Sequence, residues 1–292
     1  MNATARRLPH VSAQQLRLLR WLMRVLQAIS TVLAARVAFR LFLTPQRRRL
    51  DPADTSAVAL ARQHQLDSSD GGRIQVYEWG HGPQTAVIVH GWGSHAPRFA
   101  PLAQALAARG WRVLAFDAPG HGRSTGRTSS LPQFIAALDV VLEKLGPVQA
   151  LIGHSLGALA ITVRLGSPSE PLPASLQKLV LISMPSGAAY LLDSFEQMLG
   201  LGEATRRRSR ELFIRRFANE PEHYVSLPNA ARIPLSTLVV HDRADDIVPL
   251  AHSEPLIARM PHAQLHCSEG MGHSGLLRDP AVVQAIAGFL DT

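Results

Sequence analysis

The chain of 292 residues has a single cysteine, Cys267, so no disulfide can form within it and cysteine usage leaves the redox compartment open. With no partner in view, Cys267 reads as a small strand residue. Acids are missing from the first 50 positions, which hold ten arginines. The remainder carries 20 basic and 22 acidic residues, so the body is near neutral although the whole chain is formally +8. That leaves no basic stripe on the body to follow a phosphate backbone, and no nucleic-acid partner is expected. Long apolar runs are missing too. In the apolar N-terminal stretch the longest charge-free run, Val25 to Ala35, has eleven residues, well short of the about 20 a spanning helix needs. A signal peptide fits poorly, because the stretch ahead of that run is long. Repeats and low-complexity tracts are absent. The expectation is a cytoplasmic protein, with membrane association at the inner face through its basic N-terminus.

What is present is a chain 46% hydrophobic and 18% charged, enough to bury one large α/β domain or two small ones. The N-terminal stretch, residues 1–50, reads as an amphipathic helix over 13–43 followed by a linker. Ser12 with Gln15 three residues on can cap its start. Gln14, Arg17, Arg20, Arg24, Gln27 and Thr31 fall on one narrow polar stripe, with apolar residues around it. Such a helix suits peripheral contact with an anionic membrane. It equally suits packing on the rest of the fold or on a second copy, and the oligomeric state is not legible. Thr44-Pro45 ends the helix, and Gln46 to Pro52 reads as linker.

From Asp51 to residue 292 strands and helices alternate, which predicts a mostly parallel sheet with helices on both faces. Strands are expected at Arg73–Trp79, Thr85–His90, Arg112–Asp117, Val148–Ile152, Lys178–Met184, Ser236–His241 and Gln264–Ser268. Helices are expected at Ala100–Ala108, Leu131–Leu145, Ala158–Leu165, Ser253–Met260 and Ala281–Leu290. No strand pattern appears over about 186–233, where Tyr190–Leu201 and Thr205–Ala218 read as helices. This insertion is expected to lie over the carboxyl edge of the sheet as a lid. Arg206-Arg207-Arg208 within it reads as a solvated helix face.

The chemistry centres on Gly153-His154-Ser155-Leu156-Gly157, set between a buried strand and a helix. A turn that tight exposes its central serine and tolerates no side chain two positions either side. A serine hydroxyl is a weak nucleophile, and it needs a base that is itself oriented. His273, at the tip of Gly270-Met271-Gly272-His273-Ser274, lies in the right order downstream. Three acids follow the Ser236–His241 strand. Asp245 at the loop tip is favoured as the orienting carboxylate, Asp242 is read as tying its own turn, and Asp246 is the next choice. Donors for a developing oxyanion are expected from the N–H of Leu156 and of Trp92, in the glycine-rich turn His90-Gly91-Trp92-Gly93. The loop Asp117 to Ser124 reads as structural, braced by His121 and Arg123. In the insertion, Tyr190, Phe195 and Met198 are candidates to contact an acyl group, the alternative being that they only pack the lid on the domain.

Together these motifs resemble the α/β-hydrolase family over about Asp70 to Leu290, and within it bacterial serine esterases and lipase-like hydrolases. The resemblance implies the α/β-hydrolase fold, with Ser155 as nucleophile, His273 as base and Asp245 as acid. It implies hydrolysis of a small-molecule carboxylic ester through an acyl-enzyme, a thioester or amide being the other substrates left open, with no cofactor and no metal. Ser155 sets the chain apart from relatives with Asp at that position, the haloalkane dehalogenases and epoxide hydrolases. The family usually has glycine where Asp242 stands. The same triad also serves acyltransferases, perhydrolases and lyases, and a non-catalytic hydrolase-like binding protein is the reading from another class.

Overall fold

The computed structural model describes residues 12–68, 70–169 and 171–292. Contacts divide them into two compact units. One is built on a sheet and runs from Pro45 to Ser186 and from Ser226 to Thr292; the other joins residues 12–44 to Gly187–Val225. This departs from a boundary near residue 50 with a lid over 186–233. The N-terminal helix belongs with the insertion, and the insertion is shorter at both ends.

The sheet unit opens with a short helix that follows α1 (Ala13–Ile29) and α2 (Thr31–Phe42) in the chain: α3, Pro52–Ala59, capped by Asp51, whose Oδ1 accepts the Asp54 N–H at 2.7 Å. Then come β1 (Arg62–Asp67), β2 (Arg73–Trp79), β3 (Gln84–Val89), α4 (Ala100–Ala107), β4 (Trp111–Phe116), α5 (Leu131–Leu145), β5 (Ala150–His154), α6 (Leu156–Leu165) and β6 (Lys178–Ile182). After the insertion the chain adds α9 (Leu227–Ala230), β7 (Ser236–Asp242), α10 (Glu254–Arg259), β8 (Ala263–Ser268), α11 (Gly272–Gly275) and α12 (Pro280–Asp291). The eight strands lie in the order β1-β2-β4-β3-β5-β6-β7-β8, with β2 antiparallel to both neighbours and the rest parallel.

Central strands are buried on both faces, as parallel strands under helices must be. Side chains alternate. Ile88, Val113, Ala115, Ile152, Val180 and Val240 share one core with α4 and α12. The intervening Val87, Val89, Leu114, Leu151 and Leu181 are buried too, and α6 packs on β3, β5 and β6.

Strand order fixes where chemistry can occur. The chain leaves β3 for β4 on one side, then returns to place β5 on the other. The direction of winding reverses at β3, and the crevice outside the carboxyl ends there is where open α/β sheets bind ligands. Val89 pairs with Gly153, so the loops after β3 and β5 leave the sheet side by side. Asp242 pairs with Ser268, so the loops after β7 and β8 do the same.

The stretch expected to be a linker is clamped. Arg47 Nε donates to the Gly120 carbonyl at 3.1 Å, and Nη2 donates to those of Ser124 and Gly126 at 2.8 and 2.6 Å. Arg278 pairs with Asp51 at 3.1 Å and with Asp54. One guanidinium thus ties the loop Asp117 to Ser124 to the start of the unit. Arg47→Ala is expected to lower stability by about 1–2 kcal/mol, the lower range for charged hydrogen bonds because the group is partly solvated. Urea unfolding reads the change, and an unmoved midpoint would show the clamp to be energetically idle.

The helical unit contains α1 (Ala13–Ile29), α2 (Thr31–Phe42), α7 (Ala188–Leu199) and α8 (Glu203–Phe217). The single helix expected over 13–43 is broken at Ser30, which adopts extended φ and ψ while its Oγ accepts the Leu33 N–H at 3.3 Å. Serine competes with the helical backbone in this way. The Ser12–Gln15 capping box forms, with hydrogen bonds of 3.1 and 2.9 Å. The polar stripe does not face water throughout. Arg20 Nε donates to the Met198 carbonyl at 2.7 Å, and Gln27 Oε1 accepts the Gly202 N–H at 2.7 Å. The first serves a carbonyl in the last turn of α7, and the second serves the N-cap residue of α8. Arg206 bridges α7 and α8 through Asp193 at 3.0 Å and Glu196 at 3.1 Å, so it is more than a solvated face. The neck of the insertion closes by a bridge between Gly187 and Val225. Among the described residues no helix is long and apolar enough to cross a membrane.

Candidate active site

Ser155 sits between β5 and α6 at φ 52° and ψ −118°, in a region that disfavours side chains with a Cβ. The turn survives because of what flanks it. A Cβ on Gly157 would run into the carbonyl oxygens of Val89 and His90, and one on Gly153 would lie 2.6 Å from the Ala158 nitrogen. Only glycine lets the helix start this close to the strands. Gly91 approaches the serine so nearly that a Cβ there would lie 3.0 Å from that of Ser155. The turns after β3 and β5 are therefore in contact. The Trp92 N–H and the Leu156 N–H have no acceptor among the described residues.

Two buried histidines hold the Trp92 turn. His90 Nε2 accepts the Ala118 N–H at 3.0 Å, and its Nδ1–H donates to the Gly91 carbonyl at 2.7 Å. His121 does likewise, accepting from the Gly93 N–H at 3.0 Å and donating to the Pro119 carbonyl at 3.0 Å. Each ring needs one bare nitrogen and is therefore neutral. Burial pushes His90 down to about 4 and His121 to about 3. Asp117 completes the brace, accepting the N–H groups of Ala96 and Arg123, both at 2.8 Å.

Asp245 and His273 meet. Asp245 Oδ2 lies 2.7 Å from His273 Nδ1, and Oδ1 accepts the N–H groups of Ile247 and Val248 at 3.0 and 2.8 Å. Burial by itself would raise the Asp245 carboxyl; His273 and the two N–H donors outweigh it and hold it below the usual carboxylate range. Asp242 serves the loop instead. It accepts from the N–H groups of Ala244, Gly272 and Met271 at 2.9, 2.9 and 3.1 Å and from the Ser268 hydroxyl at 2.7 Å. Asp246 is exposed. The glycine usual at position 242 gives way here to a carboxylate that ties the loop carrying His273 to β7 and β8.

Sequence reasoning did not single out His154, the residue before Ser155. It is buried, its ring lies 4.8 Å from that of His273, and its Nε2–H donates to the His273 carbonyl at 2.8 Å. Burial first, and then the neighbouring imidazole, depress its basicity well below that of a free histidine. His241 was missed as well: its Nε2 contacts the Val248 carbonyl at 2.7 Å, and Asp245 lies 3.5 Å away. The only signal for either was adjacency to a motif residue.

Burial also depresses His95 and His241, and the buried histidines together make the fold sensitive to acid. The unfolded chain binds protons on the rings of His90 and His121 below pH 6.5, while the folded chain resists until about 4 at His90 and about 3 at His121. Stability is therefore lost as pH falls through this window, by about 1.4 kcal/mol per pH unit for each ring. Melting temperature should be level near pH 7–8 and drop between pH 6.5 and 4.5, above the range where carboxylates titrate. A flat profile there would contradict the neutral assignments.

The acyl-contact candidates lie in the helical unit. Met198 is buried in a cluster with Met23, Ala34 and Ala38, and Phe195 packs against it with its ring 5.4 Å from that of Phe42. Both thus pack against the N-terminal helices, a use the sequence reading did not consider. Tyr190 is half-buried near the start of α7. Cys267 lies on β8. Among the described residues no group of three or more His, Cys, Asp or Glu could hold a metal ion.

The model of the Alpha/beta hydrolase family matches residues 86–285. The chain belongs to this family. Its relatives include the 2-hydroxy-6-oxononadienedioate/2-hydroxy-6-oxononatrienedioate hydrolase of Cupriavidus pinatubonensis, 30% identical over 69% of this chain and 84% of the relative. The pimeloyl-[acyl-carrier protein] methyl ester esterase of Xanthomonas campestris pv. campestris is 28% identical over 68% of this chain and 90% of its own. Among solved structures, the Pyrococcus furiosus esterase Pf2001 superposes with a TM-score of 0.64 at 18% identity, covering 85% of this chain and 98% of that one. These likenesses place the alpha/beta hydrolase fold and support a hydrolase.

Proposed function

We propose that the protein hydrolyses small carboxylic esters through a covalent acyl-enzyme on Ser155. The observation that carries this reading is the 2.7 Å contact of Asp245 with His273, on loops of the same sheet whose β5 ends in the strained serine turn. In the proposed reaction His273 Nε2 takes the proton from Ser155 Oγ as the oxygen attacks the ester carbonyl. The oxyanion accepts from the N–H groups of Trp92 and Leu156. His273 returns the proton to the leaving alkoxide, freeing the alcohol. Water, deprotonated by His273, then attacks the acyl-enzyme and releases the acid and Ser155. Asp245 keeps the His273 proton on Nδ1 and stabilises the imidazolium. The reaction calls for no cofactor.

Tyr190 is the remaining proposed contact for the acyl chain, since Phe195 and Met198 pack against α1 and α2. A second reading comes from the relative named for a 2-hydroxy-6-oxo dienedioate substrate: the same residues could hydrolyse such an acid in place of an ester. A fluorophosphonate probe combined with a panel of nitrophenyl esters of rising chain length tests the proposal. Labelling of Ser155 with turnover of at least one ester is expected. Labelling without ester turnover, but with turnover of a 2-hydroxy-6-oxo acid, would transfer the assignment to the second reading. No labelling of Ser155 would overturn both.

A further inference from the structure

The helix α1 presents two apolar sides. Leu16, Leu19, Met23 and Leu26 pack with α7 in the core of the helical unit. Opposite them stand Leu18, Trp21, Leu22, Val25 and Ile29, with Leu18 66%, Trp21 59% and Ile29 71% exposed. Their spacing of i, i+3, i+4, i+7 and i+11 makes one continuous stripe. Val32 and Leu33, also exposed, carry it past Ser30 onto α2. Scattered exposed leucines are ordinary, but a contiguous apolar stripe marks a contact surface.

Cations line the stripe. Arg17 and Arg24 each precede one of its members by one residue, about 100° round the helix on the same flank. Arg36 and Arg40 extend the exposed line along α2. None of the four has an acidic partner among the described residues, and residues 12–44 contain no acid at all.

We propose that this face seats the protein on the surface of an anionic bilayer. The apolar stripe enters the boundary between headgroups and acyl chains, and the arginines meet lipid phosphates. Charge decides against a second copy as the occupant. Two such faces brought together would oppose their arginines with no carboxylate from residues 12–44 between them. The helices lie on the surface rather than span it, because none is long and apolar enough to cross.

The test uses the full chain, since removing α1 and α2 would strip Met23, Ala34 and Ala38 from the core of the helical unit. Co-sedimentation is measured with vesicles of equal parts phosphatidylglycerol and phosphatidylcholine, and with vesicles of phosphatidylcholine alone. Binding is expected on the mixed vesicles, weaker by about tenfold or more on the neutral ones, and falling with salt. The double variant Leu22→Glu/Ile29→Glu should lose vesicle binding by about tenfold or more with an unchanged melting temperature. A second double variant, Arg24→Glu/Arg36→Glu, alters two exposed residues and should flatten the salt dependence. Absent binding, equal binding to neutral vesicles, or a dimer in sedimentation velocity that Leu22→Glu/Ile29→Glu dissolves would each overturn the proposal.

Discussion

Replacing Ser155 with alanine is expected to lower ester turnover by on the order of 10⁴–10⁶, the loss seen when a triad serine is removed. The fold should not notice. Ser155 is the first residue ahead of α6, yet its side chain makes no capping hydrogen bond, so removing Oγ strands no donor or acceptor of the helix. Alanine keeps the Cβ, and the strain at φ 52° is therefore the same in both proteins. Fluorophosphonate labelling should vanish with the activity, while the melting temperature stays level. Residual turnover within about tenfold of the parent would remove Ser155 as nucleophile. A large fall in melting temperature would mean that the hydroxyl serves the fold.

Features written in consecutive residues were legible in the sequence; those set by distant partners were not. The run from β5 through Gly153-His154-Ser155-Leu156-Gly157 into α6 is local: glycine spacing, apolar strand and helix follow one another. Leu131–Leu145 appears with the expected limits for the same reason, since Pro132 lies in its first turn and Gly146 follows its end. The meeting of Asp245 with His273 was readable from the order of two loops, because consecutive parallel strands set their carboxyl ends side by side. Helix faces were harder. Periodicity shows that α1 has a polar stripe, but it cannot say which side another element will cover. Arg20 and Gln27 turned inward because the end of α7 offered a carbonyl and the start of α8 an N–H to satisfy. Phe195 and Met198 looked available to a substrate until α1 and α2 were seen to cover them. Arg47 was hidden in a run of basic residues, and its carbonyl partners lie more than seventy positions away.

Asp245→Asn should reduce turnover by about 10⁴ and leave the fold nearly intact. The asparagine Oδ1 can still accept from the Ile247 and Val248 N–H groups, so the loop keeps its shape. Its amide would face His273 Nδ1 as a donor. The imidazole must then carry its proton on Nε2, the nitrogen proposed to receive the serine proton, and the base is blocked. Asp242→Asn should have the reverse profile. One carboxylate oxygen there accepts from the Met271 N–H and the Ser268 hydroxyl. An amide in that place can accommodate the hydroxyl, which rotates, but opposes the N–H. Leaving one such group unpaired costs about 1–3 kcal/mol, so this variant should unfold earlier in urea. Its turnover should fall only as far as the loop carrying His273 loosens. Measuring kcat and urea midpoints on both variants separates the two carboxylates. Should Asp242→Asn prove the more damaging to kcat while both remain folded, the orienting acid is Asp242 and the 2.7 Å contact of Asp245 with His273 is structural.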